Sequence, residues 1–245
     1  MKSRRTSGGP APTLTAIRVE LHALANPVRG AHSQRFFKTG PGEYAEGDKF
    51  LGLTVPQMRS IARKYRGLDD PSALELLYSP WHEERLIALL LLVDGYARGD
   101  ESRRQKIHRA YVANARQINN WDLVDLSAAQ IVGSHLDSRE IALLERLARS
   151  KNIWKRRIAI VSTFHFIRSN EFLPTLEIAA ILLGDSHDLI HKAAGWMLRE
   201  VGKRDRQLLD KFLAKHYRQM PRTMLRYAIE RHPESIRKQY LAGTI

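Results

Sequence analysis

Asn119-Asn120-Trp121-Asp122-Leu123-Val124-Asp125 sets an indole and a carboxylate four residues apart within a stretch of helical periodicity. At that spacing both side chains lie on one face of a helix. Two later tracts answer it. Lys151-Asn152-Ile153-Trp154-Lys155-Arg156-Arg157-Ile158-Ala159-Ile160-Val161 opens on cations and turns apolar, and His191-Lys192-Ala193-Ala194-Gly195-Trp196-Met197-Leu198-Arg199-Glu200 surrounds a tryptophan with small residues. Trp121, Arg157 and Trp196 recur at intervals of roughly 40 residues, the period of two-helix solenoid repeats. Stacked repeats bring residues one or two units apart onto a shared concave surface. The spacing therefore predicts an all-α fold, an α-α superhelix of helical repeats, with a bundle lacking true repeats as the alternative.

Working outward, nearly everything from Thr13, a candidate N-cap, follows helical periodicity. Breaks fall at Asn26-Pro27, Gly67 to Pro71, Gly99-Asp100, Asp137-Ser138, Ser169-Asn170, Gly184-Asp185 and Met220-Pro221. Lys38 to Lys49, with three glycines and a proline, reads as a long loop, which in a helical protein is either functional or a tolerated excursion. Residues 1–12 are basic and rich in Gly and Pro, so a disordered tail is expected there, with a single repeat domain over 13–245.

The chain has 245 residues, 43% of them hydrophobic, enough to bury a substantial core. Its 40 Lys and Arg exceed the 26 Asp and Glu, a net charge of +14 that points to a nucleic acid or another polyanion as partner. Cysteine is absent, which excludes disulfides, zinc–thiolate and iron–sulfur sites and thiol nucleophiles. The longest apolar run, Leu86 to Val93, is far too short to span a membrane, and no apolar core follows the basic residues near Met1. A cytoplasmic, nucleoid-associated protein is the expectation.

Within the first tract Asp122 suits a helix start, whereas Asp125 lies past the first turn, where aspartate has poor intrinsic propensity and needs another reason to be present. In the second, Lys155 and Arg156 taken singly suit a solvated face. Arg157 sits against Ile153, Ile158 and Val161 and so needs an acidic or phosphate partner. A helix N-terminus carrying cations is also a seat for phosphate. Gly195 costs a helix about 1 kcal/mol relative to alanine, which close packing of another helix and close approach of a ligand explain equally well. His187 and His191 are four apart, but Asp188 stands where a metalloprotease helix has glutamate and no third ligand is evident, so no metal is expected. Phosphate-binding loops, nucleophile elbows and kinase signatures are missing from the sequence.

Taken together, Phe36-Phe37-Lys38, Phe50-Leu51-Gly52, Pro56 to Arg59, Trp121 to Asp125, Asn152-Ile153-Trp154 with Arg157, and Lys192 to Trp196 with Leu198-Arg199-Glu200 resemble the bacterial AlkD family of alkylpurine DNA glycosylases. The resemblance runs from about residue 15 to 240. It implies HEAT-like repeats around a basic DNA channel and hydrolytic excision of positively charged N3- or N7-alkylated purines from double-stranded DNA. It assigns Asp125 as the catalytic carboxylate, Trp121, Trp196 and Phe36 as residues lining the lesion, and Arg157 as a grip on the DNA backbone, with Lys155, Arg156 and Lys192 as neighbouring backbone contacts. Hydrolysis needs only water, so no cofactor is implied, and a monomer is expected. Three features depart from the family pattern. Phe36 lacks the hydroxyl of the tyrosine usual at its place, Asn120 stands where an aromatic can stand, and the Gly40 to Asp48 loop is longer. The rival readings are a noncatalytic repeat protein that binds branched or distorted DNA, and a protein scaffold, against which the charge of +14 counts.

Overall fold

A computed structural model describes residues 13–245. The expected tail, residues 1–12, lies outside the described residues. Every regular element among the described residues is a helix, in keeping with the all-α helical-repeat class, and Lys49 and Trp81 form one isolated parallel bridge. The chain divides into two compact units, one ending at Arg103 and the other Arg104–Ile245.

The N-terminal unit contains α1 (Leu14–Ala23), α2 (Pro27–Phe36), α3 (Val55–Lys64), α4 (Asp70–Leu76) and α5 (His82–Arg98). Local chemistry sets their starts. Thr13 caps α1, Asn26 followed by Pro27 caps α2, Asp69 caps α4, and Thr54 with Gln57 closes a reciprocal capping box on α3. α5 is apolar around most of its circumference and packs on α3 and α4, forming the middle of this unit's core.

The long loop between α2 and α3 is irregular, as its glycines require, yet its second half is buried. The Glu83 carboxylate, in the first turn of α5, accepts the backbone N–H groups of Leu51 (2.9 Å), Gly52 (2.7 Å) and Leu53 (3.3 Å). Gly52 has φ +84°, and a Cβ there would lie 2.3 Å from the Asn26 carbonyl oxygen, so only glycine fits. Asp48 reaches Arg85 Nη2 at 2.6 Å, and the His82 ring stacks on Phe50 with centroids 4.5 Å apart. A loop this polar can be buried because α5 supplies its hydrogen-bond partners.

The C-terminal unit holds the remainder of α6 (Glu101–Ala113), then α7 (Trp121–Ile131), a short 3-10 turn (Gly133–His135), α8 (Ala142–Ala148), α9 (Ile153–Ser162), α10 (Phe164–Arg168), α11 (Leu173–Ile181), α12 (Asp188–Gly202), α13 (Arg206–His216), α14 (Arg222–Ala228) and α15 (Glu234–Ala242). α7, α9, α12 and α14 pack successively side by side as one layer. α8, α11 and α13 back that layer, each against α9 or α12. This is the stacking of equivalent helices anticipated from the spacing of the tryptophan and arginine tracts. None of the helices in the described residues is long and apolar enough to cross a membrane.

Candidate active site

The layer α7–α9–α12 places three residues in one register. Asn120, fully buried, caps α7 by accepting the Trp121 N–H at 2.8 Å, and Asp122 accepts the Leu123 N–H at 2.9 Å, the end-of-helix role anticipated for it. Asp125 follows one turn after Trp121. On α9, Asn152 caps the helix through the N–H groups of Trp154 and Lys155, which sets Arg157 opposite Asp125.

Arg157 donates from Nε to Asp125 Oδ1 (2.9 Å) and from Nη2 to Oδ2 (2.8 Å), a bidentate pair, while Nη1 donates to the Leu189 carbonyl of α12 at 2.6 Å. Both links span 32 residues, so one guanidinium ties three successive helices of the layer together. The side chain of Arg157 is 6% exposed and that of Asp125 is 21% exposed. Of the two partners that the apolar setting of Arg157 called for, acidic or phosphate, the structure supplies the acidic one in Asp125, whose side chain still meets solvent over part of its surface.

Burial pushes the Asp125 carboxyl above the ordinary aspartate range. Arg157 opposes the rise through charge and hydrogen bonding, and Asp122 adds to it. Tyr111 of α6 is fully buried and reaches α7 with its hydroxyl 2.8 Å from Ser127 Oγ. Ser127 spends its own proton on the Leu123 carbonyl (2.5 Å), so Tyr111 is the donor to Ser127. Burial raises that hydroxyl well above the ordinary tyrosine range and so holds it un-ionised.

The remaining expected site residues are distributed as follows. Trp121 is half-buried on the Asp125 face of α7. Trp196, also half-buried, stands two turns beyond Leu189 on α12, its ring 5.9 Å from Phe164. Gly195 beside it is a packing glycine, since a Cβ would lie 2.5 Å from the Met224 carbonyl oxygen of α14. Arg156 pairs with Asp185 at 2.5 Å and donates to the Ser150 and Lys151 carbonyls, which fastens the turn before α9. Lys192, half-buried, pairs with Asp188 one turn earlier at 2.7 Å. Lys155 is half-buried. His187 Nδ1 accepts the Leu189 N–H as the α12 cap, and His191 Nε2 lies 2.5 Å from the Asp185 carbonyl oxygen, so each imidazole is engaged by backbone. Phe36, in the other unit, ends α2 with 60% exposure and meets Phe37 edge to face at 5.0 Å.

Sequence reasoning missed the Leu189 carbonyl, which carries no side-chain signature, and the buried Tyr111–Ser127 hydrogen bond that joins α6 to α7. The only signal for the first is the 32-residue interval itself.

A family model described as DNA alkylation repair enzyme matches residues 17–232. No curated relative matches the chain. Among solved structures, one described as "Predicted DNA alkylation repair enzyme from Enterococcus faecalis" is similar with a TM-score of 0.67 at 15% identity, over 86% of this chain and 97% of that one. At that identity the likeness speaks for the fold.

Proposed function

We propose that this chain, which belongs to the DNA alkylation repair enzyme family, is a glycosylase that hydrolyses the bond joining an N3- or N7-alkylated purine to its deoxyribose in duplex DNA. The observation that carries the reading is the Asp125 carboxylate, oriented by two hydrogen bonds from Arg157, its side chain still partly exposed and its charge only partly stabilised.

An alkylated N3 or N7 purine already bears positive charge, so the leaving group needs no protonation. As the C1′–N9 bond breaks, its electron pair returns to the purine and cationic character moves to the sugar. A preorganised carboxylate stabilises that developing charge and orients the water that adds to C1′, and the proton this water sheds passes through the carboxylate to solvent. Arg157 serves here as the positioning residue: its two parallel N–H donors fix the plane of the carboxylate, so little reorganisation is needed at the moment of reaction. The faces of Trp121 and Trp196 add attraction for a cationic sugar and base, about 0.5–2 kcal/mol each. The three committed N–H groups of Arg157 leave its guanidinium mainly an internal clamp, so a phosphate contact from this residue would be secondary. The protein acts as a monomer on duplex DNA and uses water as its only co-reactant.

The same clamp favours a second reading, a noncatalytic protein that binds distorted DNA, because an aspartate held bidentately by arginine is also a strut between helices. Incubation with randomly methylated genomic DNA separates the two. Release of 7-methylguanine and 3-methyladenine, without release of uracil or 8-oxoguanine, is the expected result. Release of uracil at an equal rate would refute electrostatic selection, and binding without release of any base would leave the second reading standing.

A further inference from the structure

α3 buries Met58, Ile61 and Ala62 and turns Arg59 and Arg63 outward, and Arg66 follows just past its end. With Ala62, and with Leu90 and Asp94 of α5, these three arginines line an open hollow of about 180 Å³. The spacing puts the guanidiniums on one face, where like charges a turn apart repel. Among the described residues Asp94 is the single carboxylate lining the hollow, and it is already shared between Arg66 Nη2 (3.6 Å) and Arg98. Among the described residues neither Arg59 nor Arg63 has an ion pair. The walls are thus cationic in excess, while the floor, Ala62 and Leu90, is apolar.

Such a hollow suits an anion carried on a partly apolar frame. Planar guanidiniums match phosphate oxygens in pairs, and the aliphatic floor accepts the edge of a sugar. We infer that Arg59, Arg63 and Arg66 seat a backbone phosphate of duplex DNA and contribute affinity without taking part in bond cleavage. The inference rests on the DNA-repair reading above but on none of the residues assigned to excision.

The test is the R59Q/R63Q double variant, both positions being exposed, with binding of undamaged duplex measured over a series of salt concentrations. Affinity is expected to fall about tenfold, and the dependence of log Kd on log salt to become shallower by about 1, as follows when one phosphate is no longer neutralised. The R59K/R63K variant, which keeps the charge, is expected to retain most of the slope. Single-turnover release of 7-methylguanine by R59Q/R63Q is expected to fall at subsaturating enzyme and to recover as enzyme is raised, and a deficit that persists at saturation would overturn the separation of the seat from bond cleavage. Binding curves for R59Q/R63Q that overlay wild type at every salt concentration would overturn the seat. So would weaker binding with an unchanged slope, which would mark a structural defect. A variant that loses only a thermal shift induced by inorganic phosphate, while binding duplex normally, would make the hollow a free-anion site and also defeat the inference. Wild-type protein that binds duplex but releases no base would refute the glycosylase reading and leave the salt-slope result to decide the seat. Wild type that binds no duplex would defeat both.

Discussion

The two units each bury an aspartate against an arginine, and the pairs are tuned in opposite directions. Asp48 and Arg85 are sealed, their side chains 4% and 5% exposed, whereas Asp125 keeps 21% exposure beside an Arg157 that is 6% exposed. Burial is the largest influence on both carboxyls and would raise both. At Asp48 the hydrogen bonds and charges of His82 and Arg85 together outweigh it, and the carboxyl is held below the ordinary range. At Asp125, Arg157 alone does not, and Asp122 pushes the same way as burial, so the carboxyl is left above it. A well-compensated carboxylate is a staple; an under-compensated one that is partly exposed is disposed toward a passing cation. On the proposed glycosylase reading, that difference and the partial exposure of its side chain are what suit Asp125 to chemistry.

The largest expected effect breaks the staple. Arg85→Ala strands a buried Asp48 charge and frees the loop that Glu83 and Arg85 hold to α5, at a cost of about 3–5 kcal/mol in urea or thermal unfolding. A loss below about 1 kcal/mol would show that the Asp48 pair is as dispensable as a surface salt bridge and that the contrast is misplaced.

Asp125→Asn comes next. It preserves shape while removing charge, and single-turnover release of 7-methylguanine is expected to fall at least about tenfold while affinity for undamaged duplex changes little. Unimpaired excision would return Asp125 to the same class as Asp48, a strut between helices.

How far this contrast could be read beforehand depends on sequence distance. The helix starts at Thr13, Asn26-Pro27 and Asp69-Asp70-Pro71 were legible because capping is local chemistry within four residues. That Arg157 needs an acidic or phosphate partner was legible too, because its neighbours are apolar, but the choice of Asp125 was set by helix stacking across 32 residues. Arg156 illustrates the opposite outcome. Its place among four cations suggested a phosphate seat, and it pairs with Asp185, 29 residues away, through a turn whose geometry no local pattern encodes. The Asp48–Arg85 staple and the Glu83 cradle were not legible at all, since they join a glycine-rich loop to a helix more than 30 residues later and depend on the loop's path. Composition sees such residues only as an acid in a loop and charges at a helix start.

A smaller effect sharpens the role of the clamp. Arg157→Lys keeps a positive charge near Asp125 but loses the parallel donors, so excision should slow by about a few-fold through misorientation of the carboxylate. With less stabilisation of its charged form, Asp125 should titrate still higher, and the acid limb of the excision profile should move to higher pH. A structural strut would lower stability and leave that limb where it is. An unmoved limb in a variant with reduced rate would therefore count against Arg157 as the positioning residue.

The smallest effect compares the two aspartates through stability alone. Asp48, with its folded pKa below the reference value of 3.8, contributes stability that is present above that value and lost as pH falls through the folded pKa. Asp125, with its folded pKa above 3.8, has the opposite linkage: its contribution is complete below 3.8 and is lost as pH rises through the folded value. The advantage of wild type over Asp48→Asn should accordingly shrink on acidification, while its advantage over Asp125→Asn should grow. Urea midpoints for the three proteins across the acid range give both slopes in one experiment. Slopes of the same sign would mean that the two carboxylates are compensated alike, and the distinction between staple and reactive group would then rest on the partial exposure of Asp125 alone.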